Sequence, residues 1–194
     1  MAEIPVVSDA HRLAAGLGVL PEPVLRLTLI VLSGLPGTGK TYFCQKLVAR
    51  LPFVVLESDA LRKTLFPTPT YAAEESTRLF QAVHHLIEDL LRKGIPIILD
   101  ATNLSERHRE RLYNIAERLN AKLILVRLKA PPEVVHERLK ARAAGKDKTL
   151  SDADWEVFQR MQPTMERIRR QHFAVDTSRD ITPVLDKIVR EVNR

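Results

Sequence analysis

The stretch SGLPGTGKT, Ser33 to Thr41, follows directly on the apolar run LTLIVL. Gly34, Gly39, Lys40 and Thr41 satisfy the spacing G-x-x-x-x-G-K-[ST], with Gly37 and Thr38 inside it. These residue types suit an oxygen-rich anion. Glycines let successive backbone N–H groups turn inward and approach phosphate oxygens closely. A helix opening at the end of the loop adds the partial positive charge of its N-terminus. Lys40 can reach β- and γ-phosphates, and the Thr41 hydroxyl can hold Mg²⁺. A chance glycine-rich turn has no reason to sit between a buried strand and a helix. The expectation is a phosphate-binding loop for a nucleoside triphosphate with magnesium. Its nucleotide contacts would be Gly34, Gly37, Thr38, Gly39, Lys40 and Thr41, and its metal ligands Thr41 and Asp100.

The remaining chemistry narrows the ligand and the reaction. No Asn-Lys-x-Asp tetrapeptide, the usual guanine reader, occurs in the chain, which favours ATP. The run PIILDAT ends a strand on Asp100 and follows it with Ala101, where motor ATPases carry a water-activating glutamate. That favours transfer to a bound hydroxyl over hydrolysis. ESDALRK then offers Asp59 just past another strand and Arg62 three residues on. A carboxylate there can orient an acceptor hydroxyl and take its proton, and an arginine can hold an anionic substrate. A helix cap would use the same Ser58 or Asp59.

HERLKARAAGKDKTLSDADW reads as a lid. Arg138 and Arg142 are four residues apart on one helix face, before a polar loop with Lys146 and Lys148. They are candidates to stabilise charge on the transferring phosphate, Arg142 ahead of Arg138, with Arg160 weaker. In VDTSRD, Thr177 and Ser178 beside Asp176 can line the nucleotide base, although turn chemistry uses the same residues.

These candidates need strands to carry them. RLTLIVLS, FVVLES, IPIILDA, AKLILVRLKA and HFAVDTS read as five strands. Helices lie between them. YAAEESTRLFQAVHHLIEDLLRKG buries Leu79, Val83, Leu86, Ile87 and Leu90, and stops at Gly94. SERHRERLYNIAERL has Ser105 as N-cap. PPEVVHERLKARAAG and ITPVLDKIVREV complete the set, with SDADWEVFQRMQPTMERI as a helix bent or broken near Pro163. Alternation of this kind predicts an α/β sandwich on a parallel sheet, with ligands at the carboxyl ends of the strands. Residues 1–26 read as an N-terminal extension with a helix over Ser8–Leu17, and 27–194 as the main domain, its lid at about 138–160.

The chain has 194 residues, a net charge of +6 and a pI ≈ 9.7, which suits a polyanionic ligand. One cysteine, Cys44, excludes an intramolecular disulfide, and the N-terminus lacks a secretory pattern, so a cytoplasmic setting is expected. No apolar run approaches the ~18–20 residues of a spanning helix.

In GLPGTGKT, SDALR, ILDATNL and the lid, the chain resembles a P-loop kinase group. The group contains the kinase module of polynucleotide 5′-kinases, zeta-toxin-like proteins and related AAA-type small kinases. The likeness runs roughly from Leu27 to Val192. It implies a three-layer sandwich with a five-stranded parallel sheet in the order 2-3-1-4-5 and a helical lid. It also implies Asp59 as general base, Arg62 and Asn103 near the acceptor, Asp100 at the third strand's end, and Arg142 or Arg138 on the ATP phosphates. The expected activity is transfer of the ATP γ-phosphate to a hydroxyl, ranked first as the 5′-OH of RNA or DNA. The alternatives are a small metabolite, antibiotic or nucleotide sugar as acceptor, or an ATP-driven switch working through a protein partner.

Other side chains suit structural roles. His84 and His85 are adjacent on a helix and lack metal-ligand spacing. Cys44 suits a buried thiol, and Trp155 suits packing in the lid. Arg107, Arg111 and Arg118 suit a solvated, salt-bridged face, with a phosphate backbone as the alternative.

Overall fold

The structure, a computed structural model, describes residues 3–145 and 153–194. The strands are β1 (Thr28–Ser33), β2 (Val54–Glu57), β3 (Ile97–Asp100), β4 (Lys122–Lys129) and β5 (Phe173–Asp176). They form one parallel sheet in the order β2-β3-β1-β4-β5, the expected 2-3-1-4-5. β1 is central and all six of its residues are buried. Its side chains alternate between faces, as the two-residue period requires. Leu29 and Val31 join one core and Ile30 and Leu32 the other, which is why the strand reads as uniformly apolar.

The helices are α1 (Glu3–Ala15), α2 (Lys40–Val48), α3 (Ser58–Leu65), α4 (Ala73–Arg92), α5 (Glu106–Arg118), α6 (Pro132–Ala143), α7 (Trp155–Met161) and α8 (Thr182–Val192). One face of the sheet is covered by α1, α3, α4 and α5, whose Leu13, Leu61, Leu86 and Leu112 share a core. The other is covered by α2 and α8 through Phe43, Leu47, Leu185 and Ile188. A third, smaller cluster of Leu35, Leu104, Val135, Leu139 and Phe158 seats the lid helices on the loops after β1 and β3.

Several local details differ from the sequence reading. The first helix begins at Glu3 rather than Ser8 and ends at Ala15. Asp9, nearly fully buried, receives Arg78 of α4 in a two-pronged contact of 2.6 and 2.9 Å. Ser105 occupies the N-cap position of α5, but its hydroxyl makes no capping bond. The Glu106 N–H donates instead to the carboxylate of Glu166, at 2.7 Å. The helix expected over 151–168, bent or broken near Pro163, is broken there: it ends at Met161, continues as a 3₁₀ turn over Gln162–Thr164, and leaves 165–170 non-helical. Pro163 lacks the N–H that would extend it. Asp154 caps α7 by accepting from Val157 N at 2.9 Å. Trp155 stacks on Phe158 with ring centroids 4.8 Å apart and meets the edge of His136 of α6 at 4.7 Å. Lys146 and Lys148 lie outside the described residues. Among the described residues no helix is long and apolar enough to cross a membrane.

Candidate active site

The carboxyl ends of β1, β2, β3 and β5 open onto one cavity of ≈ 1580 Å³, roofed by α6 and α7 and walled by α4 and α5. The loop after β1 forms its floor. A Cβ on Gly34 would lie 2.6 Å from the Leu128 carbonyl oxygen and 2.8 Å from Thr38 Oγ1, so no side chain fits there. Gly39 caps α2 at φ 82°, the left-handed region that glycine enters freely. Lys40 Nζ donates to the carbonyls of Gly34 and Leu35, both at 3.0 Å. Burial lowers the basicity of this ammonium and Arg142 adds to the effect, while the carboxylates of Asp100 and Asp59 oppose it.

Thr41 Oγ1 donates to Asp100 Oδ2 at 3.0 Å. Burial raises the Asp100 pKa, as does Asp59, against the pull of Lys40 and the Thr41 hydrogen bond. Glu57 is the in-register neighbour of Asp100 on β2, and it also lines the cavity. Its pKa is raised by burial, then by Asp100 and Asp59, against Lys63. The sequence reading passed over Glu57. Its signal is positional: it ends a strand two residues before Asp59.

The two lid arginines are used differently. Arg138 donates to Thr177 Oγ1 at 2.9 Å and Thr177 O at 2.8 Å, with a longer contact to Gly37 O at 3.4 Å. Thr177 Oγ1 in turn donates to Thr38 O at 2.8 Å. Thr177 therefore joins the loop after β5 to the glycine loop. The Ser178 hydroxyl turns back to Asp176 Oδ1 at 2.6 Å, and Ser178 is not among the cavity's lining residues. Arg142 lines the cavity, yet its Nε and Nη1 are buried with no hydrogen-bond partner among the described residues. Arg160 lies on the same lining.

On the opposite side, α3 starts at Ser58, so Asp59 stands at its N-terminus facing the cavity. Arg62, one turn on, is buried and forms an ion pair with Glu75. It also donates to Ser76 Oγ at 3.2 Å and lies 4.9 Å over the ring of Tyr71. Burial opposes the Glu75 charge, but hydrogen bonds from Thr70 N, Arg62, the Thr70 hydroxyl and Tyr71 N bring its pKa down to about 2. The pair was not legible in the sequence, because Glu75 belongs to the next helix.

Asn103 is left-handed at φ 45° and buried. Its Nδ2 donates to Leu32 O at 2.7 Å, and its carbonyl accepts from Ser33 Oγ at 3.1 Å. That carbonyl also accepts from Arg109, a fully buried residue that the sequence reading did not single out. Arg109 spends its whole guanidinium: Nε on Glu106, Nη1 on Asn103 O and Leu104 O, Nη2 on Glu166 O and Arg167 O. It ties the loop after β3 to the segment that leaves the lid.

A glycine floor, a half-buried lysine and an arginine with buried nitrogens unpartnered among the described residues fit the phosphates of a nucleotide. The Thr41 hydroxyl and Asp100 carboxylate fit magnesium, which takes one or two protein oxygens and keeps waters and phosphates for the rest. Among the described residues, no group of three or more His, Cys, Asp or Glu could hold a metal by itself.

The family model described as an AAA domain (AAA_33) matches residues 29–168. The chain belongs to this AAA-domain family. The match covers the glycine loop, Asp59, Asp100 and both lid arginines. An L-seryl-tRNA(Sec) kinase of Methanococcus maripaludis is 30% identical over 115 residues, 57% of this chain and 44% of that relative. The chain thus aligns with less than half the length of that curated relative. An APS kinase of Mycobacterium tuberculosis, solved with AMPPNP and APS, superposes with a TM-score of 0.64 at 17% identity. The match covers 87% of this chain and 99% of that one. A gluconokinase of Sinorhizobium meliloti gives 0.59 at 22%, over 86% and 90%. These two likenesses show a shared fold. The comparisons support an AAA-domain P-loop protein with kinase relatives, not the narrower polynucleotide 5′-kinase group.

Proposed function

We propose that this chain is an ATP- and Mg²⁺-dependent phosphotransferase that moves the γ-phosphate to a hydroxyl. The observation that carries this reading is that Lys40, Thr41, Asp59, Asp100 and Arg142 all line one cavity. A switch has no use for the acceptor-side carboxylate. Bound MgATP supplies the phosphoryl group and an electrophilic phosphorus. The chain's own residues do the rest. Lys40 and Arg142 offset charge that builds on the phosphate oxygens. Thr41 and Asp100 hold the metal. Asp59 orients the acceptor hydroxyl and takes its proton.

A small hydroxyl-bearing acceptor suits the site better than a nucleic-acid 5′ end. Arg62 is matched by Glu75, so the arginine expected to grip an acceptor phosphate has its charge already compensated. The 5′-OH reading keeps the support of the +6 net charge.

The test is transfer of labelled γ-phosphate from ATP to 5′-OH RNA, 5′-OH DNA and pooled small metabolites, with Asp59→Asn as control. Label on a small molecule, reduced about 10²–10⁴-fold in the variant with ATP affinity kept, is expected. Label on an oligonucleotide end would revive the 5′-OH reading. Full transfer by Asp59→Asn would overturn the role of that residue, and label released only as free phosphate would favour the switch.

A further inference from the structure

The end of the cavity away from the glycine loop is built by α4 and α5. Phe80 and His84 stand one turn apart on α4, and His108 faces them from α5. The Phe80 ring lies 6.4 Å from the His84 ring and 6.3 Å from the His108 ring, and all three side chains line the cavity. Arg107 and Arg111 flank His108 and are exposed. Among the described residues neither enters an ion pair, although Arg118 on the same helix pairs with Glu88 and Arg109 with Glu106.

The charge balance here is one-sided. Burial, then Arg111 and His108, hold the His84 pKa down to about 4. Burial, Arg111 and Arg107 also lower His108. The one opposing carboxylate is Glu166, and it is engaged with the Glu106 N–H. His85, on the other side of α4, has Asp89 at 3.6 Å, whereas neither His84 nor His108 has an acidic partner among the described residues. The cavity therefore runs from carboxylates at Asp59 and Asp100, through the compensated Arg62–Glu75 pair, to the imidazoles of His84 and His108, with the exposed Arg111 one turn beyond His108 on α5.

We propose that His84, His108 and Arg111 form an anion subsite that holds a phosphate or carboxylate carried by the acceptor, distal to the hydroxyl that is phosphorylated. A bound anion would supply the missing countercharge and accept N–H donors from two imidazoles and a guanidinium. The subsite stands on the geometry of α4 and α5. Only its assignment to an acceptor rests on the phosphotransferase reading.

The experiment is a pH titration of the imidazole signals of the full chain by NMR. Mg²⁺ and AMPPNP saturate the glycine loop, and inorganic phosphate is the probe. Phosphate should raise the pKa values of His84 and His108 by about one unit and leave His11 and His172 unmoved. Arg111→Gln should weaken the phosphate response about tenfold while the spectrum elsewhere stays native. No response, or an equal response from all the histidines, overturns the subsite. In a transfer assay, Arg111→Gln should raise KM for a phosphorylated or carboxylated acceptor, spare kcat, and leave the uncharged analogue unaffected. A 5′-OH oligonucleotide beside a mononucleotide tells a polymer's phosphate from a small molecule's. Phosphate binding without any transfer would keep the subsite and overturn the proposed function. Transfer without phosphate binding would do the reverse.

Discussion

Arg138 holds both oxygens of Thr177, the hydroxyl at 2.9 Å and the carbonyl at 2.8 Å, while Arg142, one turn further along α6, has a buried Nε and Nη1 with no partner among the described residues. The two arginines share a helix face but not a task. One braces the lid helix against the loop after β5, and the other is left free to meet a ligand.

Arg138→Ala should therefore act on stability, costing about 1–2 kcal/mol for two lost hydrogen bonds. That is a fall in Tm of roughly 2–8 °C in thermal denaturation of a chain this size. Arg142→Ala should leave Tm nearly unchanged and cut γ-phosphate transfer by about 10²-fold or more. Equal effects of the two variants on Tm would contradict this division.

Arg109→Met should be among the most damaging single changes. It removes the guanidinium donors to the carbonyls of Asn103, Leu104, Glu166 and Arg167 and to the Glu106 carboxylate, leaving the first two only Ser33 Oγ and Glu166 N. The cost is about 3–5 kcal/mol, as for breaking a buried ion pair. Chemical denaturation should show a lower midpoint, and hydrogen exchange should show early opening at 103–106 and 165–168.

His84 makes stability depend on acid. Its folded pKa, about 4, lies below its ordinary 6.5, so the unfolded chain binds the proton first. The contribution is complete above pH 6.5 and is lost as pH falls toward 4. It should amount to roughly 2 kcal/mol once residual solvent screening is allowed for. Denaturant midpoints between pH 7 and 4 should fall less steeply in His84→Gln than in the native chain.

Arg78→Ala should loosen the first helix. Asp9 would keep only the 3.7 Å contact with Arg12 in a nearly closed environment. Limited proteolysis should cut within residues 3–20 well before the rest of the chain. The loss should be about 1–2 kcal/mol, modest because Arg78 itself is half exposed.

What could be read in advance follows from how local each feature is. The glycine loop is contiguous, so spacing alone identified it, and the apolar run before it could only be a strand buried on both faces. Asp59 and Asp100 were legible because Asp100 closes a strand and Asp59 lies two residues past one, at the edge where such sheets bind ligands. Arg109 was not. It lies in SERHRERLYNIAER, where charged residues repeat so often that a solvated face is the natural reading. Its burial is decided by residues 166 and 167, nearly sixty positions away. The same distance problem hid Glu75 as the partner of Arg62 and Glu166 as the true cap of α5. The interruption near Pro163 was legible, because a proline inside an amphipathic pattern bends a helix or breaks it, and here it breaks it.

The Trp155 indole sits at the joint between α6 and α7, stacked on Phe158 with the His136 edge against it. It is the chain's one tryptophan. The molecule thus carries its single indole fluorophore where its two roof helices meet. Emission excited at indole wavelengths reports one joint without any attached dye. Stopped-flow mixing with nucleotide can follow that joint in real time, and the buried Cys44 leaves the surface clear for a second, chosen label.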